Sequence, residues 1–208
     1  MRYISLIIIA ITVISCSHSD IAYYENGNKK HELHYKGHKL DGEQRWYYEN
    51  GNLQSIFHYK DGVPDGPASE YGSNGKLKTE SNFKNGEFDG TRKIYYSNGN
   101  LMNLETYKNG LKDGSFKVWH ADGKIKITGF YKDDQLDSTW RYFDNFGNTV
   151  GKGTFKNGEG TLISWYPNGN KMRIVHYKNS VKNGIEIIYN SDGTEKERNY
   201  YIDGEISE

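Results

Sequence analysis

A single cysteine stands in 208 residues, so neither an internal disulfide framework nor a cysteine-rich zinc site is open to this chain. Net charge is also missing, because 27 basic side chains balance 27 acidic ones. A nucleic-acid binder needs a cationic surface to displace counterions from phosphate, and that class is excluded. Proline is scarce, at 3 residues, and the mean hydropathy is strongly negative at −0.89. Such polarity would suit disorder, but disordered chains are poor in aromatics, and this one has 18 Tyr, 8 Phe and 4 Trp. No Gly-x-Ser-x-Gly elbow, Walker glycine loop or zinc-protease His-Glu pattern occurs. What is plentiful is glycine, with 24 residues, and the aromatic ring.

Long apolar runs are lacking too. The stretch from Ile4 to Ile14 is interrupted only by Ser5 and Thr12. As a helix it would span about 16 Å, roughly half a bilayer core, too short to cross a membrane. Behind Met1-Arg2-Tyr3 it has the pattern of a secretory signal peptide. Its end, Val13-Ile14-Ser15-Cys16, resembles the bacterial lipobox. That resemblance implies diacylglycerol on the Cys16 thiol, cleavage before it and an acylated new amino terminus, a palmitate-bearing lipoprotein. Each buried methylene contributes about 0.8 kcal/mol, so two or three chains anchor firmly. The plainer reading is an unlipidated signal peptide or a buried cysteine. Ser17 rather than Asp follows the cysteine, which by the enteric rule implies the outer membrane of the bacterial envelope. The expected organisation is a signal peptide at 1–15, a lipidated tether at 16–21 and a repeat domain at 22–208.

The repeat is explicit. Turn glycines fall at Gly27, Gly51, Gly75, Gly99, Gly123, Gly147, Gly169 and Gly193, spaced by 24 residues except for one interval of 22. Each follows Asn or Asp, except that Phe146 precedes Gly147. Four residues before each glycine stands an aromatic: Tyr23, Tyr47, Tyr71, Tyr95, Trp119, Phe143, Trp165 and Tyr189. Eight residues after it stands another: Tyr35, Tyr59, Phe83, Tyr107, Tyr131, Phe155, Tyr177 and Tyr201. Asn-Gly and Asp-Gly between alternating stretches signal type I′ hairpin turns, in which both central residues take positive φ. A second turn, Lys-Asp-Gly-x-x-Asp-Gly at Lys60–Gly66 and similar at Lys84–Gly90 and Lys108–Gly114, separates the hairpins, and the short interval falls there, at Lys156–Gly160. The fold class is all-β, an antiparallel meander or solenoid of 24-residue hairpin repeats, about seven to eight in number.

A two-residue loop sets a mirrored register, with Phe83 opposite Gly66, Tyr107 opposite Gly90 and Tyr131 opposite Gly114. A ring over a facing glycine covers bare backbone. Parity places these rings on one face with Trp46, Ile94, Phe116, Val118, Trp140 and Leu162. Tyr47, Tyr71, Tyr95, Trp119, Phe143, Trp165 and Tyr189 then project from the other face among Arg45, Lys93 and Lys117, and these seven are the candidate binding-face aromatics.

The frame Tyr47-Tyr48-Glu49-Asn50-Gly51-Asn52-Leu53, followed by Tyr59-Lys60-Asp61-Gly62 and Asp65-Gly66, recurs at Tyr95–Leu101 with Tyr107–Gly110 and Asp113-Gly114. It resembles the variant MORN repeat family, whose bacterial members are often called YwqK-type antitoxins. The resemblance implies an elongated antiparallel sheet serving as a binding or scaffolding surface, and toxin binding through the antitoxin label. Phe146, Ser138 and Ser180 depart from the frame, so local distortion is expected around the sixth repeat.

Catalytic, cofactor and metal sites are not indicated. His34, His58 and His176 share one column, but like positions lie two strands apart, about 9.6 Å, too far to converge on one ion, and solvated histidines are expected. Asp41, Asp65, Asp89, Asp113 and Asp137 form a periodic row with no distinguished member, whereas an acid and a base need different environments; turn capping is the expected role. Lys36, Lys60, Lys84, Lys108, Lys132, Lys156 and Lys178 line the turn edges and discourage edge pairing. The expected function is non-enzymatic: a lipid-anchored repeat protein whose aromatic sheet binds a protein partner, a toxin or another envelope protein, in an antitoxin or immunity role. The alternatives are an envelope glycan-binding module and a structural envelope scaffold. A sheet of seven repeats would be roughly 65–75 Å long if flat.

Overall fold

A computed structural model describes residues 16–207. The signal peptide expected at 1–15 lies outside the described residues. Nineteen strands follow in order: β1 (Ser17–Tyr23), β2 (Lys29–Lys36), β3 (Lys39–Leu40), β4 (Gly42–Tyr47), β5 (Leu53–Lys60), β6 (Val63–Tyr71), β7 (Leu77–Lys84), β8 (Glu87–Phe88), β9 (Gly90–Tyr95), β10 (Leu101–Lys108), β11 (Leu111–Trp119), β12 (Ile125–Lys132), β13 (Gln135–Phe143), β14 (Thr149–Lys156), β15 (Glu159–Trp165), β16 (Lys171–Lys178), β17 (Val181–Tyr189), β18 (Glu195–Ile202) and β19 (Glu205–Ile206). Each strand pairs antiparallel with its neighbours in sequence, and β3–β4 and β8–β9 are single rows broken at Asp41 and Asp89. The result is one open meander of hairpins.

The two turn sets exchange the chemistry expected of them. At the aromatic turns, Tyr24 N donates to Asn28 O at 2.8 Å and Gly27 N donates to Tyr24 O at 3.0 Å. These bonds close a three-residue loop in which the glycine alone has positive φ, 86° at Gly27, a type I turn with a glycine bulge rather than the expected type I′. The register nevertheless matches the mirrored one, because a one-residue bulge beside the loop moves the pairing from Tyr23↔Lys29 to Ala22↔His31. Phe83 faces Gly66, Tyr107 faces Gly90 and Tyr131 faces Gly114. Type I′ geometry sits instead at the lysine turns, where Asp61 and Gly62 have φ of 51° and 88° between the paired Lys60 and Val63.

Beyond each lysine turn the pairing jumps from Tyr59↔Pro64 to Phe57↔Ala68, an irregularity of two extra residues at Asp65-Gly66. This irregularity is what the short repeat lacks. Strands β14 and β15 pair from Lys156↔Glu159 to Gly151↔Ser164 with no shift, and the turn at Asn157 and Gly158 keeps φ of 50° and 78°. The two missing residues come out of the bulge, not out of the turn.

Side chains stitch each repeat to the next. Tyr24, Tyr48, Tyr96 and Tyr166 donate their hydroxyls to the carbonyls of Tyr47, Tyr71, Trp119 and Tyr189 at 2.7–2.9 Å. Asn26 and Asn28 both donate to Glu49 O, at 2.7 and 2.8 Å, and the same asparagine pair recurs at three later turns. Where lysine replaces the second asparagine, Lys76 and Lys124 reach Ser97 O and Asn145 O instead. On the opposite edge, Asp41, Asp65, Asp89 and Asp137 accept the N–H of Asp61, Asn85, Asn109 and Asn157 at 3.0–3.3 Å. The aspartate row thus caps the next repeat's turn, not its own. The sixth aromatic turn breaks the ladder: Asn148 folds back on Asp144 at 3.0 Å, and Phe146 stands 87% exposed.

The buried side chains in the described region share the face that carries the glycine-facing rings: Gln44, Ala68, Thr79, Glu105, Trp140, Phe155, Val175, Glu186 and Tyr201. Among the described residues no second layer covers this face, so rings cover one another. Trp46, Phe57, Phe83, Phe88 and Tyr107 form a continuous chain with centroids 4.5–6.1 Å apart, and Phe116, Tyr131 and Trp140 form a triangle at 5.0–5.5 Å. Gly129 is obligatory here, because the Trp140 indole leaves no room for a Cβ.

Removing one stitch by Tyr48→Phe should cost about 1 kcal/mol, the net worth of a part-buried hydrogen bond. Ser138 holds a φ of 59° where sister repeats carry Gly66, Gly90 and Gly114, so Ser138→Gly should stabilise by about 1 kcal/mol. Urea unfolding midpoints of the two variants, moving in opposite directions, check both.

Candidate functional site

The seven candidate aromatics lie on the face opposite the rings just described, each ending the strand before an aromatic turn. All are half-buried, whereas Tyr23 in the first repeat is 59% exposed. Their register partners change along the sheet. Tyr47, Tyr71, Tyr95 and Trp119 pair with Leu53, Leu77, Leu101 and Ile125. Phe143, Trp165 and Tyr189 pair with Thr149, Lys171 and Glu195. Apolar character therefore concentrates in repeats two to five. Tyr95 donates its hydroxyl to Glu80 at 2.6 Å, with Lys93 also on that carboxylate at 3.3 Å. Burial and the Glu80 carboxylate push the Tyr95 phenol up to about 12.

The other face holds two buried carboxylates with full partner sets. Glu105 on β10 accepts from Tyr107 at 2.8 Å and Asn103 at 3.3 Å, and pairs with Arg92 at 3.3 Å and Lys112 at 3.1 Å. Glu186 on β17 meets Arg173, Lys182 at 3.1 Å, Tyr201 at 3.0 Å and Asn199 at 3.4 Å. Burial pushes both carboxyls up, but the hydrogen bonds and neighbouring cations outweigh it, so each lies below the ordinary glutamate value. Periodicity could not reveal these clusters, because the glutamates sit where sister repeats carry apolar or small residues such as Phe57 and Trp140.

The histidine column proves structural. His34, His58 and His176 turn Nδ1 toward the carbonyls of Glu43, Pro67 and Ile185 at 2.6–2.9 Å. A carbonyl only accepts, so Nδ1 carries the proton and donates. Thr106 makes the corresponding bond to Ser115 O, while Asn82 donates instead to Asp89 O, two residues nearer. The expectation of merely solvated histidines is corrected, since each spans the bulge to the next strand. Among the described residues no cluster of three metal-ligating side chains forms. The lysine column is exposed along the turn edge, with Lys132 held by Asp113. Cys16 is exposed and directly precedes β1. Residues 17–21 of the segment expected as a tether lie in β1 and pair with Lys36–Glu32.

With the aspartates bonded to backbone and the buried glutamates neutralised, what this geometry offers is surface. The molecule is a single-sheet β-repeat protein with two chemically distinct faces. The MORN repeat variant model matches residues 21–36, 40–61, 64–85, 88–109, 112–133 and 158–179, more than half of the chain, and the chain belongs to that family. Repeats of this family are generally non-enzymatic and often serve in binding. The match passes over 134–157, the region that contains the broken ladder and Phe146. No curated protein matches the chain. A chain in the crystal structure of TcdB2-TccC3-Cdc42 is similar to it at 12% identity over 83% of this chain and 12% of that one, with a TM-score of 0.24. The present chain thus spans about one eighth of that chain's length.

Carboxyls held below their unfolded values stabilise the fold above the unfolded glutamate pKa, near 4.3. That contribution is lost as pH falls through the lower, folded value. Wild-type stability should therefore hold from neutral pH to about pH 5 and fall below it. Glu105→Gln with Glu186→Gln should be less stable at pH 7 and lose less on acidification, as urea midpoints measured across the pH range would register. Glu105→Gln alone should cost about 1–3 kcal/mol at pH 7.

Proposed function

We propose that this chain is a lipid-anchored envelope protein that binds a protein partner through the face bearing Tyr47, Tyr71, Tyr95 and Trp119. The observation that carries this reading is the pairing of those four half-buried rings with Leu53, Leu77, Leu101 and Ile125 on a sheet face that no other layer of the described residues covers. Tyrosine and tryptophan supply large contact areas at low cost in side-chain entropy, which suits protein recognition. Anchoring rests on the lipobox-like Val13-Ile14-Ser15-Cys16. With β1 starting at Ser17, the lipid on Cys16 would hold the first edge of the sheet against the membrane. The concrete role is antitoxin-like: occupation of a toxin by the aromatic face within the envelope.

Three experiments test this reading. Affinity capture from the native envelope with the full mature chain should yield one stoichiometric protein. That partner should be lost with Trp119→Ala and Tyr71→Ala and kept with Phe83→Leu on the opposite face. A partner indifferent to Trp119 and Tyr71 removes the assigned face, and a deletion strain equally resistant to every co-encoded toxin removes the antitoxin role. Cys16→Ser should move the protein from the membrane fraction to the soluble one; continued membrane fractionation would contradict the anchor.

A further inference from the structure

One position in the tyrosine ladder is vacant. The residues that follow the aromatic column are Tyr24, Tyr48, Gly72, Tyr96, His120, Asp144, Tyr166 and Asn190. Gly72 is the only one with no side chain, and it lies between two intact ladder tyrosines. Tyr48 spans to the Tyr71 carbonyl and Tyr96 to the Trp119 carbonyl, but Gly72 has no phenol to offer the Tyr95 carbonyl. A cleft of about 390 Å3 opens there, lined among others by Tyr48, Leu77, Lys78, Tyr95 and Tyr96.

The sister repeats show what fills such a space. In the first repeat a phenol ring occupies it, with its hydroxyl on the Tyr47 carbonyl at 2.8 Å and the Lys30 ammonium 5.9 Å from its ring centroid. Lys78 is the counterpart of Lys30 two repeats on, and Tyr95 O is the counterpart of Tyr47 O. The cleft thus keeps the carbonyl acceptor and the cation, which attracts a ring face, while the ring itself is gone.

We propose that the Gly72 cleft is a recognition site for the phenol ring of a partner protein's tyrosine, which completes the ladder in trans. The incoming ring lies between Tyr48 and Tyr96, donates its hydroxyl to the Tyr95 carbonyl and takes the Lys78 ammonium over its face. This deepens the protein-binding reading above and rests on it for the source of the tyrosine. The chemistry of the cleft is tested separately from the partner.

The probe is p-cresol, the tyrosine side-chain analogue, titrated into the isotopically labelled mature chain and followed by NMR. Saturable shifts are expected at the amides of Gly72, Ser73, Leu77 and Tyr96, with toluene, which lacks the hydroxyl, binding several-fold more weakly. Gly72→Tyr should fill the cleft from within, abolish those shifts and raise the thermal unfolding midpoint. A Cβ there meets the Asn74 Oδ1 at 2.8 Å, a side-chain atom whose counterparts in Asn26 and Asn50 make the same turn bond in repeats that carry Tyr24 and Tyr48. Should Gly72→Tyr fail to fold, Leu77→Asp, which places a carboxylate in the wall, should abolish the shifts in its place. Shifts that are absent, scattered over the sheet, equal for toluene or retained in the folded variants overturn the site. Partner capture with no p-cresol shift would leave the binding function standing and remove this site; p-cresol binding with no captured partner would do the reverse.

Discussion

The rest of the structure depends on the hydrogen bonds that run from the side chains of one repeat to the backbone of the next. A β-sheet closes its main-chain bonds between neighbouring strands, and among the described residues this sheet has no second layer to hold it flat or to hide its faces. The stitches act across two strands, from Tyr24 to Tyr47 O and from Asn26 and Asn28 to Glu49 O, and fix each hairpin against the one after it. They work only if the donor residue recurs at constant phase, which is why Tyr-x-Asn-Gly-Asn punctuates the chain. Each repeat is stable only beside a neighbour, as expected of a quasi-one-dimensional array.

The ends and the interruption follow from the same rule. In the last aromatic turn Asn190, Asp192 and Thr194 replace the donor set, and their side chains bond one another, Asn190 to Thr194 at 3.0 Å and Thr194 to Asp192 at 2.6 Å. The sixth turn does the same through Asp144 and Asn148, and the strands just beyond it lack the two-residue bulge found after the lysine turns of the other repeats. Loss of the stitch on one edge and of the bulge on the other coincide within about a single repeat, in and just after the 134–157 segment that the family model leaves unmatched.

An uncovered sheet face also explains why charge is buried alongside rings. Glu105 and Glu186 lie among tyrosines on the more buried face, each with two cations and a phenol. Removing such a carboxylate strands its partners, while the intact set roughly offsets its own desolvation. These clusters interrupt the aromatic chain at intervals and keep the face from being a continuous apolar strip, the kind of surface that invites association between molecules.

Period, strand direction and the partition of side chains between faces were legible in the residues, because glycine spacing and two aromatic columns impose a phase that no alternative pairing satisfies. Even the register was legible, though for a reason the residues did not disclose: a three-residue loop and a one-residue bulge compensate, so Phe83 meets Gly66 as a simple mirrored turn would have it. The short interval at Lys156–Gly160 could be seen but not understood, since a deletion in a turn and a deletion in a bulge read alike. Only the tertiary structure decided which side chains bond across repeats, moving the aspartate caps from their own turns to the next repeat's and turning the histidine column from solvated side chains into struts. It alone placed Arg92 and Lys112 around Glu105 and revealed the vacancy at Gly72. The physical reason is that periodicity is a local, one-dimensional property of the chain, whereas a stitch joins residues more than twenty positions apart and depends on how the repeats stack.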